Sequence, residues 1–139
     1  MNTTLLLKLA ALTYLGLLAA GLLMPRVVGL PEHIRSLPKF IRQLFWVYYT
    51  FIGLCLISFG LGTFFLAEEL ASGTPLARAV CGFFAGFWTV RFIAGTFVFD
   101  LRPYLTSTWR RIGLHAANLV FTALPFVYGW AVIQPLQPK

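Results

Sequence analysis

Four stretches of the chain are apolar almost without interruption. Residues 3–24 are broken only by Lys8, and residues 45–67 carry no charge. Residues 79–99 carry one charge, Arg91, while residues 112–133 carry none but include His115 and Asn118. A bilayer core of about 30 Å takes about 20 mostly apolar residues as a helix. Lipid offers the backbone no partner, so each run must pair its own N–H and C=O groups, as a helix does. None shows the period-two pattern of a barrel strand. With their flanks added, the runs predict helices near 3–24, 40–67, 77–100 and 109–134. The expected fold is all-α: one integral membrane domain over residues 1–139, an antiparallel bundle of four transmembrane helices. Short loops place consecutive helices side by side and antiparallel.

A signal peptide is the alternative for the first run, because Lys8 precedes an apolar stretch. The stretch from Leu9 to Met24 is longer than the usual apolar region of such a peptide, which favours a retained helix.

Breakers agree with these boundaries. Ser72-Gly73-Thr74-Pro75 makes a turn and then a helix start, with Thr74 as cap and Pro75 in the first turn. Thr106, Ser107 and Thr108 are candidate caps before Trp109. The basic loop 25–39 is the long one. Ile34, Leu37, Ile41 and Leu44 recur at helical spacing between polar residues. That pattern predicts a short interfacial turn from about Pro31 and a helix from about Pro38 into the second span. A plain solvated basic loop is the competing expectation. Pro125 should bend the fourth helix by freeing the carbonyl of Phe121, with Thr122 as a candidate partner for it.

Composition narrows the class. Of the 139 residues, 59% are hydrophobic and 11% charged. An average globular chain has about 25% charged residues, so this one cannot cover a water-facing surface. A soluble domain and a disordered chain are excluded. Nucleic-acid binding is not expected, since the net charge of +7 is scattered between apolar runs. Lys and Arg also predict an orientation. Arg26, Arg35, Lys39 and Arg42 lie in the first loop, and Arg102, Arg110 and Arg111 in the third. The opposite side holds Lys8, Arg78 and Lys139, together with Glu68 and Glu69. Both termini should therefore be non-cytoplasmic, and a bacterial inner membrane is the simplest home. Trp46, Tyr48, Tyr49, Tyr104, Trp109, Tyr128 and Trp130 fall at expected interfaces, whereas Tyr14 and Trp88 fall mid-membrane and should face inward.

Arg91 is the sharpest candidate for chemistry. It stands about nine residues before Asp100, hence about 13 Å from that end of the helix at 1.5 Å per residue. A charge at this depth is costly and needs protein or water around it. Trp88, at i−3, is a candidate cation–π partner, and Asn118 matches its depth on the fourth helix. His115 lies one turn from Asn118, and Asp100 closes the same side. The candidate ligand site is thus Arg91, Trp88, His115, Asn118 and Asp100, suited to an anionic or carbonyl-bearing molecule. Equally open is a structural role for Arg91 and Asn118 as polar glue between helices. No metal is expected, because His33 and His115 offer no multi-ligand spacing. No cofactor is expected either. Cys55 and Cys81 lie at different depths and read as packing residues.

Gly82 and Gly86 form a GxxxG pattern, predicting a close helix contact within the chain or with a partner. With no nucleophile–base pair or phosphate loop in view, catalysis is the least favoured reading. The leading expectation is a non-catalytic accessory or structural subunit, or a self-associating bundle within a homo-oligomer or larger membrane complex. The alternative is a small carrier or a lipid- or quinone-binding protein using the Arg91 pocket.

Overall fold

The computed structural model describes residues 2–99 and 106–136, and every regular element among them is helical. Asn2 opens α1 (Thr3–Val27) by accepting a hydrogen bond from the Leu5 amide. A short α2 (Leu30–Arg35) follows, with Pro31 in its first turn and Ile34 buried. Next come α3 (Lys39–Phe65) and the single turn α4 (Ala67–Leu70). Thr74 caps α5 (Pro75–Ile93) through its hydroxyl, which accepts from the Ala77 amide at 3.2 Å. A π-helical segment, Ala94–Val98, continues α5, and α6 (Thr108–Val132) completes the order. Four of these helices are long and apolar enough to cross a membrane by length and composition: α1, α3, α5 with its π segment, and α6.

Prolines do not end either helix that contains one. The first helix runs three residues past its expected end at Met24, through Pro25 to Val27. Proline lacks the N–H that would bond the carbonyl four residues back, here that of Gly21. Tyr49 on α3 supplies the missing donor, giving its hydroxyl proton to the Gly21 carbonyl. Tyr49, expected at an interface, is thus a helix-to-helix tie within the first half of α3. Pro125 sits inside an unbroken α6, but Thr122 donates to the carbonyl of Asn118 at 2.8 Å and not to that of Phe121.

The helices pack as α5 on α6, α1 on α3 and α1 on α6. Their buried side chains crowd into one half of the molecule: Leu7, Tyr14 and Leu17 of α1, Cys81, Phe84 and Trp88 of α5, and Leu124, Tyr128 and Ala131 of α6. Cys55 is exposed on α3 and Cys81 is buried, and both are free thiols. On α3 only Gly60 and Thr63 are buried. A Cβ on Gly60 would lie 3.0 Å from Tyr14 Cβ, so this glycine sets the close approach of α1 and α3. The α5 glycines do not play that part within the chain. Gly86 faces open space, and a Cβ on Gly82 would meet only a Val132 methyl at 3.9 Å.

Four side chains from the four long helices meet in one hydrogen-bonded chain. Trp88 Nε1 donates to Tyr14 Oη at 2.8 Å, Tyr14 Oη lies 2.9 Å from Tyr128 Oη, and Tyr128 Oη lies 2.6 Å from Thr63 Oγ1. Tyr128, expected in an interfacial belt, is instead completely buried, because its hydroxyl serves two other helices.

One end of the fold is tied by polar contacts. Lys8 pairs with Glu68 at 3.8 Å, and Arg78 Nη2 donates to the Gln134 carbonyl at 2.8 Å. Gly73, at φ +72°, leaves no room for a Cβ, which would fall 2.5 Å from the Pro135 carbonyl oxygen.

Two substitution sets test this packing. Tyr128→Phe removes both hydroxyl contacts of that ring and strands buried partners, and should cost about 1–3 kcal/mol in thermal or denaturant unfolding in detergent. Gly60→Ala should destabilise by about 1–3 kcal/mol through overpacking against Tyr14. Gly86→Ala should be neutral, or stabilising by up to about 1 kcal/mol, because alanine is the better helix former and the space is free. Equal melting temperatures for the two alanine variants would contradict the assigned contact.

Candidate functional site

Outside the packed half, no residue of α5 beyond Trp88 and none of α6 before Leu124 is buried. Arg91 lies there, half-exposed, one turn beyond the buried Trp88. Its guanidinium carbon lies 4.6 Å from the Phe121 ring centroid and 5.6 Å from that of Phe99. Nη1 is buried and has no hydrogen-bond partner among the described residues. A Cβ on Gly95 would sit 3.1 Å from Nη1, so the absent side chain at 95 makes room for the guanidinium. Gly95 belongs to the π-helical segment that begins three residues after Arg91. Such segments recur at functional sites because they redirect the residues beside them.

The structure distributes the five expected site residues unevenly. Trp88 is buried, but its N–H is committed to Tyr14 and its ring stacks on Phe121 at 5.8 Å and 22°. The ring beside the guanidinium is Phe121 of α6, which Trp88 also touches. Helix geometry explains the difference: positions 88 and 91 share a face of α5, so both reach the same ring on the facing helix. Asn118 is half-buried one turn before Phe121, and its carbonyl accepts from Thr122. His115 is exposed. Asp100 lies outside the described residues. Arg91 and Asn118 are therefore on facing helices, but it is Phe121 that meets the guanidinium.

Phe121 and Gly95 were not among the residues singled out from the sequence. Phe121 is one of 14 phenylalanines, and only its spacing of three from Asn118 marked it as sharing that face. Gly95, at i+4 from Arg91, carried a usable signal, since a glycine one turn from a long side chain leaves it space.

His33, on α2 within the first loop, has Nδ1 within 2.8 Å of the Gly29 carbonyl oxygen. Gly29 itself adopts a positive φ of 62° at the start of α2. This histidine is placed by a local turn and lies on a different element from the Arg91 cluster.

No family model matches the chain, and neither a curated protein nor a solved structure shows significant similarity to it. The functional reading rests on the geometry.

What that geometry can do is bounded. A guanidinium bordered by aromatic rings in an apolar setting binds and orients an electron-rich group; it neither donates nor accepts protons readily, because arginine keeps its charge. A buried donor without an acceptor also costs about 1–3 kcal/mol. Arg91→Leu should therefore leave the melting temperature in lipid-depleted detergent unchanged or raise it. A marked fall would show that Arg91 holds the fold together through contacts other than those seen here.

Proposed function

We propose that the chain is an integral membrane protein, an antiparallel bundle of four transmembrane helices acting as a non-catalytic accessory or self-associating subunit. The observation that carries this reading is the mismatch between apolar content and burial. Large apolar residues point outward along every long helix, among them Leu15, Phe51, Ile52, Val90, Phe97, Leu119 and Phe126. Water would penalise that surface by roughly 25 cal/mol per Å2, whereas lipid or another helix would not.

Contacts at the helix ends support the antiparallel arrangement. Lys8, near the start of α1, meets Glu68, just after α3, while Tyr49, in the first half of α3, meets Gly21, in the last third of α1. Likewise Arg78, near the start of α5, meets Gln134, just after α6. Arg26, Arg35, Lys39, Arg42, Arg110 and Arg111 then fall at the opposite end, which the positive-inside rule makes cytoplasmic. Both termini are non-cytoplasmic in this reading, and a bacterial-type inner membrane is the simplest setting.

Self-association is supported by the α3 surface, of which only two residues are buried, and by the open space at Gly86. Small residues permit close approach between helices in lipid. A second reading, a small lipid- or quinone-binding protein, is favoured by one observation, the buried Arg91 donor that meets no acceptor among the described residues.

Fractionation and topology reporters test the first proposal. The chain should sediment with membranes and require detergent for release. A C-terminal reporter active only in the cytoplasm should be silent, and one active only outside it should be active. The reverse pattern would overturn the orientation. Recovery in the soluble fraction without detergent would overturn the membrane reading itself. In detergent, a mass for the protein of one chain only at all concentrations would remove self-association.

A further inference from the structure

We propose that Arg91 anchors the oxyanion of an acyl-chain lipid, held between α5 and α6 with its tail along the exposed apolar flanks. The inference rests on the membrane reading and deepens the lipid-binding alternative to a ligand class and a binding residue.

Four observations converge on that site. Arg91 Nη1 is buried without an acceptor among the described residues, and a charged donor in a low-dielectric setting needs one. Phe121 and Phe99 border the guanidinium at 4.6 and 5.6 Å, contacts through ring faces that accept no hydrogen bond of ordinary strength. Gly95 lacks the Cβ that would crowd Nη1, and it lies in the π-helical segment. Arg91 remains half-exposed, which gives a ligand its approach.

Charge and shape select the ligand. A guanidinium presents parallel N–H groups that match the two oxygens of a carboxylate or phosphate. The surroundings select the rest of the molecule. Phe99 beside the guanidinium and Phe97 and Val98 just before it are exposed, so a small hydrophilic anion would leave them uncovered, whereas an acyl chain covers them. Asn118, half-buried one turn from Phe121 on α6, offers an amide to an ester carbonyl or hydroxyl near the headgroup. The two sources of this chemistry are a phospholipid phosphate and a fatty-acid carboxylate.

The test uses the full chain, delipidated in a mild maltoside detergent, with native mass spectrometry and thermal shift as readouts. The probes are phosphatidylglycerol and oleate, with diolein and oleyl alcohol as uncharged partners carrying the same tails. Stabilisation by phosphatidylglycerol but not oleate assigns a phospholipid, and the converse assigns a fatty acid. Stabilisation by both supports the shared chemistry. Arg91→Gln should weaken retention by about ten- to a hundredfold, the worth of a charge-assisted hydrogen bond. Arg91→Lys, which keeps the charge without the fork, should fall between the two. Gly95→Val keeps the arginine and fills its space, so it should also weaken binding.

Two results would overturn the proposal. The first is equal stabilisation by oleate and oleyl alcohol, together with no effect from phosphatidylglycerol beyond that of diolein. The second is unchanged retention in both Arg91 variants that elute like the parent. Either of these leaves the membrane reading intact, because that reading fails only if the protein proves soluble without detergent.

Discussion

Everything in this fold is arranged around a buried chain of hydroxyls that has to find its partners within the protein. Trp88, Tyr14, Tyr128 and Thr63 come one each from α5, α1, α6 and α3, and each is almost completely buried. Only its first link has a fixed direction. An indole N–H only donates, so Tyr14 Oη accepts from Trp88, whereas in the two hydroxyl–hydroxyl links either partner can donate. Such a node fixes the relative height of four helices, which apolar packing alone does only loosely, because one leucine replaces another at little cost. The aromatic contacts of Trp88 with Tyr14 at 5.3 Å, and of Phe84 with Tyr128 at 5.1 Å, wrap the node in rings.

The consequences of the node fall off with distance. Near it, Gly60 lets α1 and α3 come close enough for Tyr14 and Thr63 to reach the same hydroxyl. The neighbouring end is closed by Lys8 with Glu68, by Arg78 with the Gln134 carbonyl, and by the fit of Gly73 against Pro135. Those exposed polar ties are worth little individually. Toward the basic end no described hydrogen bond joins α3 to α5 or α6, and apolar side chains turn outward. Tyr49 holding the carbonyl that Pro25 releases is the one tie between α1 and α3 described there. Arg91 stands where closed packing gives way to open surface, which is why its guanidinium is covered on one nitrogen and yet approachable.

Long apolar runs, glycine and proline punctuation and cap residues determined the elements of this protein by themselves. Four runs of about twenty residues, read as membrane spans, have no other economical structure, since backbone groups in an apolar solvent must be paired inside each run. Thr74 and Pro75 started a helix, and Pro31 and Pro38 bracketed the short turn before α3, because these residues act through their own backbone and nearest neighbours. The cost of a charge within an apolar span singled out Arg91 in the same local way.

Partnership was decided only by the tertiary structure. Thr63 carried no local mark, and Tyr128 read as an interfacial ring until two other helices claimed its hydroxyl. GxxxG spacing pointed to Gly82 and Gly86, but the close approach within the chain falls at Gly60, because contact depends on which face a neighbour presents and a motif on one helix does not contain that information. Arg91 likewise faced a choice among Trp88, Asn118 and Phe121 that depth alone left open. The rotation of α6 about its axis settled it for Phe121, while Trp88 had been drawn into the hydroxyl chain. Depth along a helix is written in the sequence at 1.5 Å per residue; rotation about its axis is fixed by neighbours, and so appears only when the helices meet.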